Sequence, residues 1–374
     1  MGMETAATTM DRSMFQTVRN YLAVSTNIAE LENRNLLLIL TRIIAGRVFY
    51  GMGPDTFDRR RFSRKKLRQY GEYLTLRERE NLQKSLCPED AREQVENKLR
   101  FHEKCLSHGL PTPSIYGAFL TKECYVPKYI PVARSRQEVR DLLVRLPAGK
   151  YIVKPISAGH GWGVAAYHVE NGRLSTFSGE VVDPDQFFRQ ITENKFHSYG
   201  YMLQEYIQTH RELKSIMPGP GLGTFRIVTF LEGERSVNIP FAVVKIPVGG
   251  SVTDNFDGGY SGNWVCPVDV GTGCLGNAVG KSASVPVFAE IERRSDTGAM
   301  FREMIVPLWE DVRSTVNKAA LVFSDLRTVG WDVAVTDKGV SILEANWDWG
   351  ENLIEVAHNR GLRAELTELT KRSL

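Results

Sequence analysis

The chain has 374 residues, of which 42% are hydrophobic and 24% are charged, and its 47 Lys and Arg residues against 44 Asp and Glu residues leave a net charge of +3. This composition excludes a disordered polar chain and a collagen-like chain, and the near-neutral charge gives no overall reason to expect a nucleic-acid-binding protein. At about 100 to 200 residues per domain, the length predicts two or three packed units with room for a cleft between them.

Cysteine usage and the start of the chain are typical of a cytoplasmic protein. The five cysteines are odd in number, widely spread and without a Cys-x-x-Cys pair, so neither a disulfide framework nor a zinc site is expected. The residues through Ser13 lack the basic start, apolar run and cleavage site of a secretory signal. The longest apolar run, residues 36–40, is too short to cross a bilayer, so no membrane insertion is expected.

A helical pattern covers residues 14–106, where Leu, Ile, Val and Phe recur at spacings of three and four residues and a single proline precedes Pro88. The pattern predicts a helical N-terminal section. Aromatic side chains interleave with its basic residues and are expected to pack in a core, although they could also stack on sugars or bases. They are Phe49, Tyr50, Phe57, Phe62, Tyr70 and Tyr73.

A basic run stands out within this section. Residues 58–69 carry one acid and seven basic side chains, namely Arg59, Arg60, Arg61, Arg64, Lys65, Lys66 and Arg68. One interpretation is a solvated helix face, because such runs are commonly at the surface. The other is a docking surface for an anionic substrate or polymer, and since the chain as a whole is nearly neutral, we expect a carboxylate-bearing substrate. The sequence leaves both interpretations open.

From residue 109 onward, glycines and prolines punctuate short β-rich stretches, which indicates an α+β section. Residues 134–146 predict a helix capped by Ser135, because their apolar side chains lie three or four residues apart. Residues 300–326 carry a longer helical pattern. The predicted strands are residues 114–119, 151–155, 202–207, 225–231, 236–246, 331–336 and 340–344.

A lysine at the end of a predicted strand precedes a loop with three alternating glycines. Residues 152–164 read Ile-Val-Lys-Pro-Ile-Ser-Ala-Gly-His-Gly-Trp-Gly-Val. Glycine lets backbone N–H groups approach a polyphosphate closely, and Lys154 would add a point charge to the same oxygens. A tight hairpin with a surface lysine explains the pattern equally well. The motif is not a Walker loop, because no Gly-Lys-Ser/Thr follows.

Two predicted strands joined by an Asp-Lys-Gly turn bring oxygen donors together within residues 330–346. The hairpin makes Asp332 and Glu344 neighbours, and strand alternation places Glu344 and Asn346 on one face. Hard oxygen ligands of this kind suit Mg²⁺. The alternative, carboxylates on a solvated hairpin face, is weaker because the intervening residues are apolar. These residues are Val333, Ile342, Leu343 and Ala345.

The order of these features resembles the ATP-grasp superfamily over about residues 97–364. A lysine, a glycine loop, an apolar strand that ends in Glu, a strand with an arginine and then Asp, Glu and Asn follow one another. The start is similar to D-alanine:D-alanine ligases, with Asn97 and Lys98 where those ligases have Asp-Lys and with Gly-Leu-Pro-Thr-Pro at residues 109–113. The resemblance implies two α+β lobes with mainly antiparallel sheets that clasp ATP.

The resemblance also implies the parts of a nucleotide site. Lys98 and Lys154 would be the two nucleotide lysines, and Arg226 would face the γ-phosphate, so Lys154 and Arg226 are the catalytic candidates. The implied ligands of Mg²⁺, with Mn²⁺ as an alternative ion, are Asp332, Glu344 and Asn346. The other implied ATP contacts are Ser157, Gly159, His160, Gly161, Gly163, Glu205, Tyr206, Ile207, His210 and Glu212.

A narrower resemblance lies in residues 223–229, Gly-Thr-Phe-Arg-Ile-Val-Thr, and in residues 253–259, Thr-Asp-Asn-Phe-Asp-Gly-Gly. Both segments look like the sugar-transfer-associated ATP-grasp family, which is found beside polysaccharide genes. The second segment would lie near the phosphates or the acceptor. The implied substrate residues are Asp254, Asn255, Gly258, Gly259 and Asp348. Two departures are Asn97 in place of Asp and the lack of the common Pro before Gly350.

By this resemblance the chain divides into a helical N-terminal section for substrate recognition (1–96), a first lobe (97–207) and a second lobe (208–374). The implied function is an ATP-dependent carboxylate-amine ligase that forms an amide or peptide bond through an acyl phosphate and releases ADP and phosphate. The loop 157–163 would close as a lid, because water would otherwise hydrolyse the acyl phosphate. No side-chain nucleophile is needed.

Two other classes of protein stay open. A non-catalytic nucleotide-binding protein would keep the lysines but lose the metal ligands, and those ligands are all present. An ATP-grasp kinase or phosphoryl transferase would use a hydroxyl or histidine acceptor and release ADP without an amide product. The expected partners are small-molecule carboxylate and amine substrates, with an amino acid or a sugar acid among the candidates, and no nucleic acid. A homo-oligomer is left open.

Overall fold

The chain is described by a computed structural model that covers residues 2–157, 163–193, 199–282 and 285–374, with the backbone alone over residues 2–15. The α-helices in these ranges are α1 (Gly2–Glu32), α2 (Leu36–Tyr50), α3 (Pro54–Arg59), α4 (Leu76–Leu86), α5 (Glu89–Glu96), α6 (Lys98–Ser107), α7 (Arg136–Arg145), α8 (Pro184–Glu193), α9 (Trp309–Val322), α10 (Glu351–His358) and α11 (Arg363–Ser373). None of these helices is long and apolar enough to cross a membrane.

Within the same ranges the strands form two seven-stranded sheets. The first sheet contains β1 (Ile115–Leu120), β2 (Val132–Ala133), β3 (Gly149–Pro155), β4 (Ala165–Glu170), β5 (Arg173–Thr176), β6 (Val181–Val182) and β7 (Gly200–Glu205). The second contains β8 (Thr224–Glu232), β9 (Ser236–Ile246), β10 (Trp264–Pro267), β11 (Ala278–Ser282), β12 (Val285–Ile291), β13 (Thr328–Thr336) and β14 (Gly339–Asn346).

The order of strands in the first sheet is β2-β1-β7-β3-β4-β5-β6, antiparallel except for the pair of β1 and β2. The order in the second is β12-β11-β10-β9-β8-β13-β14, antiparallel throughout. Each sheet has its own hydrophobic core. Helix α6 joins them, because Leu99 packs in a cluster with the first sheet and Phe101 packs in the core of the second.

The sequence patterns predicted most of these elements. The predicted α+β class is confirmed, β9 has the predicted bounds, and the Ser135 side chain caps α7 by accepting from the Glu138 N–H. The helical pattern of residues 300–326 is wrong in its first part, where α9 has not yet begun. Pro307 has no N–H to donate, and Leu308 adopts a left-handed φ of 55°, so the helix starts only after them.

The N-terminal helices surround an aromatic cluster. Phe57, Phe62, Tyr70 and Tyr73 are fully buried, and the rings of Phe62 and Tyr70 stack with centroids 4.1 Å apart. Core packing is therefore confirmed for these four residues, whereas Phe49 is 71% exposed. The cluster also includes a side chain of β12, so the N-terminal section is docked on the second sheet.

The basic run is not one solvated helix face, and that interpretation is wrong. Helix α3 ends inside the run, and the backbone turns at Arg61, which has a left-handed φ of 51°. Arg60 lies 2.6 Å from the Glu355 carboxylate. Arg61 lies 3.0 Å from the Glu290 carboxylate and donates to the Val356 carbonyl at 2.8 Å. These two buried arginines tie the N-terminal section to β12 and α10.

Removing the Arg60 guanidinium should strongly destabilise the fold. In Arg60→Gln the buried Glu355 loses its cation, and because burial already raises the pKa of Glu355 to about 7, its carboxyl should then take up a proton. The lost ion pair and hydrogen bonds should still cost about 2 to 3 kcal/mol. The matched variant Arg64→Gln breaks a pair with Glu32 in which the arginine is 51% exposed, and it should cost less than about 1 kcal/mol. Urea unfolding at neutral pH measures both free energies. An equally small loss in the two variants would contradict the structural role of Arg60.

Candidate active site

A cleft of about 750 Å³ opens between the two sheets. Side chains of β3 and β7 line it from the first sheet, side chains of β8, β9 and β14 line it from the second, and the N-terminal section adds further residues. The predicted site residues that line the cleft are Lys98, Lys154, Ser157, Glu205, Tyr206, Ile207, Arg226, Asp254, Asn255, Gly258, Asp332, Glu344, Asn346 and Asp348.

Two lysines enter the cleft from adjoining elements. Lys98 is the first residue of α6, and its backbone N–H donates to the Ile156 carbonyl just beyond β3. Its Nζ lies 3.8 Å from Glu344 Oε2. Lys154 lies in β3 and is almost completely buried, and burial lowers its pKa to about 8 against the opposing effect of Glu344. Among the described residues, no carboxylate lies within 4.0 Å of Lys154 Nζ.

A buried ionic network lies beside these lysines. Arg226 forms a bidentate pair with Asp332, with Nε 2.6 Å from Oδ1 and Nη2 2.9 Å from Oδ2. Lys245 Nζ lies 3.1 Å from Asp332 Oδ2 and 3.5 Å from Asp254 Oδ1. Asp254 also accepts from the Thr224 N–H at 2.8 Å. The four charged side chains each keep 14% or less of their surface exposed.

Strand register explains why these residues meet. Arg226 on β8 is directly opposite Asp332 on β13, and Asp332 is directly opposite Glu344 on β14. Lys245 on β9 is opposite Thr224, which precedes Arg226 by two residues and therefore shares its face. One face of four neighbouring strands thus carries a continuous polar row in an otherwise apolar sheet.

Burial and ion pairing have opposite effects on the pKa values of the two aspartates of this network. Burial opposes the charge on Asp332, but Arg226 and Lys245 outweigh it and hold the pKa of Asp332 far below its ordinary value. At Asp254, burial raises the pKa, and Lys245 and Thr224 offset the effect only in part. Asp332 is therefore the firmly ionised member of the pair of aspartates.

Part of the cleft is an apolar slot beside the end of β7. Its walls include Ile152, Val164, Ala166, Leu222 and Leu343. Strand β7 ends at Glu205, and the next two residues, Tyr206 and Ile207, also line the slot. The Tyr206 hydroxyl donates to the Pro220 carbonyl at 3.0 Å. An apolar slot beside the end of a strand suits a planar ring.

Some of the predicted residues do not reach the cleft lining. His210 Nε2 lies 3.7 Å from Asp337 Oδ1, and Glu212 donates its backbone N–H to His210 Nδ1. Gly163 and Gly259 lie beside aromatic rings outside the lining. The roles that the resemblance gives to these four residues stay predictions. Outside the described residues lie Gly159, His160, Gly161 and the rest of the predicted lid through residue 162.

Two cations of the cleft were missed in the sequence. Lys245 interrupts the apolar run of β9, and a charged residue inside such a strand is a signal of a buried partner. Arg79 on α4 lies 3.8 Å from Asp348 and 3.5 Å from Glu351, and no sequence pattern marks it. The basic run contributes Arg59 to the cleft lining.

The predicted metal ligands offer hard oxygen donors. Glu344 keeps 29% of its side chain exposed, and Asn346 lies two residues further along β14. The Asn346 amide donates to the Gly330 carbonyl at 3.3 Å, which holds it beside Asp332. In the described part of the chain, no three or more His, Cys, Asp and Glu side chains are grouped to hold a metal ion. A divalent ion would therefore depend on two carboxylates, one amide and oxygens of a ligand.

One protein family matches most of the chain. The sequence model of the family described as sugar-transfer associated ATP-grasp matches residues 77–371. The chain belongs to this family and has the ATP-grasp fold, as the resemblance implied. No curated protein matches the sequence.

Solved structures are similar at a lower level. D-cycloserine synthetase DcsG is 14% identical with a TM-score of 0.41, over 85% of this chain and 82% of that one. The D-alanine-D-alanine ligase from Helicobacter pylori is 14% identical with a TM-score of 0.39, over 75% of this chain and 61% of that one. The ATP-grasp ligase PsnB, solved with a phosphomimetic precursor variant, Mg and ADP, is 12% identical with a TM-score of 0.36, over 77% of this chain and 61% of that one. The chain thus spans about three fifths of the PsnB chain, and these scores are too low to transfer a function.

Replacing Lys154 should stabilise the protein. Its pKa of about 8 means that the folded protein binds this proton more weakly than the unfolded chain, whose lysine has the ordinary pKa of 10.5. Lys154→Met should therefore raise the free energy of unfolding at pH 7 by up to about 3 kcal/mol. The gain should fade as the pH rises from about 8 to 10.5, because the wild-type lysine then loses its proton in the folded state.

Urea unfolding across this pH range measures the effect. The control is Lys128→Met, which replaces an exposed lysine. It should leave the free energy of unfolding nearly unchanged at every pH. A loss of stability in Lys154→Met that does not vary with pH would contradict an uncompensated charge at this position.

Proposed function

We propose that this member of the sugar-transfer-associated ATP-grasp family is an ATP-dependent ligase that joins a carboxylate to an amine through an acyl phosphate. The observation that carries the proposal is the convergence of Lys98, Lys154 and Arg226 with three oxygen donors in one cleft. Two lysines match the charge of a polyphosphate, and a fixed arginine beside carboxylates matches a phosphoryl group in transfer. The substrates would be small molecules or peptides that the cleft can admit.

ATP would bind with its base in the apolar slot and its phosphates at the lysines. Backbone groups of residues 205–207 would meet the adenine edge. Lys154 supports this arrangement, because a buried cation without a carboxylate within 4.0 Å among the described residues gains most from an anionic ligand. Lys98 would assist from the start of α6, where its Nζ now lies near Glu344.

Glu344 and Asn346, together with Asp332, fit Mg²⁺ by the chemistry of their oxygens, and Mn²⁺ has similar preferences. Asp332 is already paired with Arg226 and Lys245, so Glu344 has the more accessible oxygens. Bound there, Mg²⁺ would neutralise charge on the phosphates.

The reaction would consist of two displacements. A carboxylate oxygen of the acid substrate attacks the γ-phosphorus, the bond to the bridging oxygen breaks, and ADP leaves. The amine nitrogen then attacks the acyl carbon, loses a proton and displaces inorganic phosphate, which leaves the amide. Arg226 would stabilise both the transferring phosphoryl group and the tetrahedral oxyanion, because Asp332 and the Trp349 carbonyl hold its guanidinium in place.

Two variants should separate nucleotide binding from turnover. Lys154→Ala should weaken ATP binding by about 10- to 100-fold, because it removes a charged contact to phosphate. Glu344→Gln should lower turnover more than ATP affinity, because charge neutralisation matters most while the phosphoryl group moves. Calorimetry with ATP and Mg²⁺ measures the affinities, with Lys128→Ala as the exposed control. Wild-type affinity in Lys154→Ala would sink this assignment.

The reaction itself is tested by an ADP-release screen over pairs of carboxylates and amines, followed by mass spectrometry. The proposal predicts a product whose mass is that of acid plus amine minus water. ADP release without such a product would indicate a phosphoryl transferase with another acceptor. ATP binding with no ADP release over the whole screen would indicate a non-catalytic nucleotide-binding protein.

A further inference from the structure

The arginines of residues 59–64 differ in whether a carboxylate balances them. Arg60, Arg61 and Arg64 each have a glutamate oxygen within 3.0 Å. Arg59 has no carboxylate oxygen within 4.0 Å among the described residues. It is also the member of this run that lines the cleft. Among the arginines of residues 59–64, the one without a carboxylate partner in the described part of the chain is therefore the one that lines the cleft.

The surroundings of Arg59 make its charge costly in the free protein. Burial and then the neighbouring charge of Arg60 lower the pKa of Arg59 below its ordinary value. Tyr260, Asp55 and Asp58 act in the opposite direction without offsetting this effect, and Asp58 is already paired with Lys281 at 2.8 Å. A half-buried cation in this position gains free energy when an anion binds to it.

The Arg59 side chain lies against the backbone of the turn Asp257–Gly259. A Cβ atom at Gly258 would lie only 2.3 Å from Arg59 Nη1, so the guanidinium rests where a side chain is missing. Gly258 also has a left-handed φ of 58°, which favours glycine for a second reason. The guanidinium therefore lies beside the loop that the sequence resemblance implies for substrate binding.

The other cations of the lining already have partners or a proposed role. Arg79 is close to Asp348 and Glu351, and Arg226 and Lys245 are committed to the buried network. The two lysines of the proposed function serve the nucleotide. Of the cations that line the cleft, Arg59 is therefore the one left to bind an anion other than the nucleotide.

We propose that Arg59, at the turn Asp257–Gly259, binds a carboxylate of the non-nucleotide substrate. The inference rests on the proposed function. The planar fork of a guanidinium matches a carboxylate with two parallel hydrogen bonds. Asp254, Asp257 and Asp348 also line the cleft, and their charges disfavour a phosphate dianion more than a singly charged carboxylate.

The test uses the full chain saturated with the ATP analogue AMP-PNP and Mg²⁺. Malonate, succinate and glutarate are titrated as probes, with succinamide as the neutral counterpart of succinate and with inorganic phosphate. At least one dicarboxylate should raise the melting temperature of the wild-type protein, and succinamide should not. In Arg59→Gln the apparent Kd of that dicarboxylate should rise by at least about tenfold, while the affinity for AMP-PNP stays unchanged.

Two further variants complete the test. Arg59→Lys keeps the charge without the fork, so it should restore the dicarboxylate affinity only in part. Arg68→Gln, which replaces an exposed arginine of the same run, should bind like the wild type. Because Arg59→Gln removes an unbalanced cation, it should melt at or above the wild-type temperature. A lower melting temperature would show that Arg59 is structural and would overturn the proposal.

Equal dicarboxylate affinity in Arg59→Gln and the wild type would also overturn it, as would the absence of any dicarboxylate effect on the wild type. Stronger stabilisation by phosphate than by every dicarboxylate would rule out the carboxylate assignment. Failure of AMP-PNP to bind the wild type would refute the proposed function instead. The two failures are therefore distinguishable.

Discussion

The Asp332 carboxylate forms ion pairs with two cations, and the geometry of the cleft depends on these two pairs. Arg226 comes from β8, Lys245 from β9 and Asp332 from β13, so one buried carboxylate connects three neighbouring strands. Loss of any one of these side chains would leave the charges of the buried network unequal. The network holds Arg226 at the cleft before a ligand arrives, which is the arrangement that electrostatic stabilisation of a transition state requires.

Outside this network, the cleft contains cations that have no carboxylate partner among the described residues. Lys154 and Arg59 come from different sections of the chain, and each lacks a carboxylate within 4.0 Å among the described residues. A buried cation without a partner lowers the free energy of unfolding of the free protein, and a bound anion restores that stability. The same run that supplies Arg59 also supplies Arg60 and Arg61, whose buried pairs fix the N-terminal section on the second sheet. The proposed recognition of a substrate carboxylate and the docking of the N-terminal section on the second sheet thus involve one short segment.

Local patterns in the sequence were enough for the parts that depend on short-range geometry. The closeness of Asp332 and Glu344 follows from a tight hairpin, but the turn alone would set Asp332 opposite Leu343. A register shift between Asp332 and Val333 makes Glu344 its direct partner. The ion pair of Lys245 with Asp332 could not be predicted from a local pattern, since the two residues are 87 positions apart in the chain. Only the assembled sheet brings β9 and β13 to opposite sides of β8. The burial of Arg61 in the basic run could not be predicted for the same reason, because the acid that pairs with it is 229 residues away.

We propose that one preformed cleft holds a nucleotide between the two lysines and the ionic network. A crystal structure of the protein grown with AMP-PNP and Mg²⁺ would show whether the nucleotide binds there. We expect phosphate oxygens within hydrogen-bond distance of Lys98 and Lys154, an ion at Glu344 and Asn346, and an unchanged pair of Arg226 and Asp332. A nucleotide bound outside the cleft, or bound within it with no phosphate contact to either lysine, would contradict the claim.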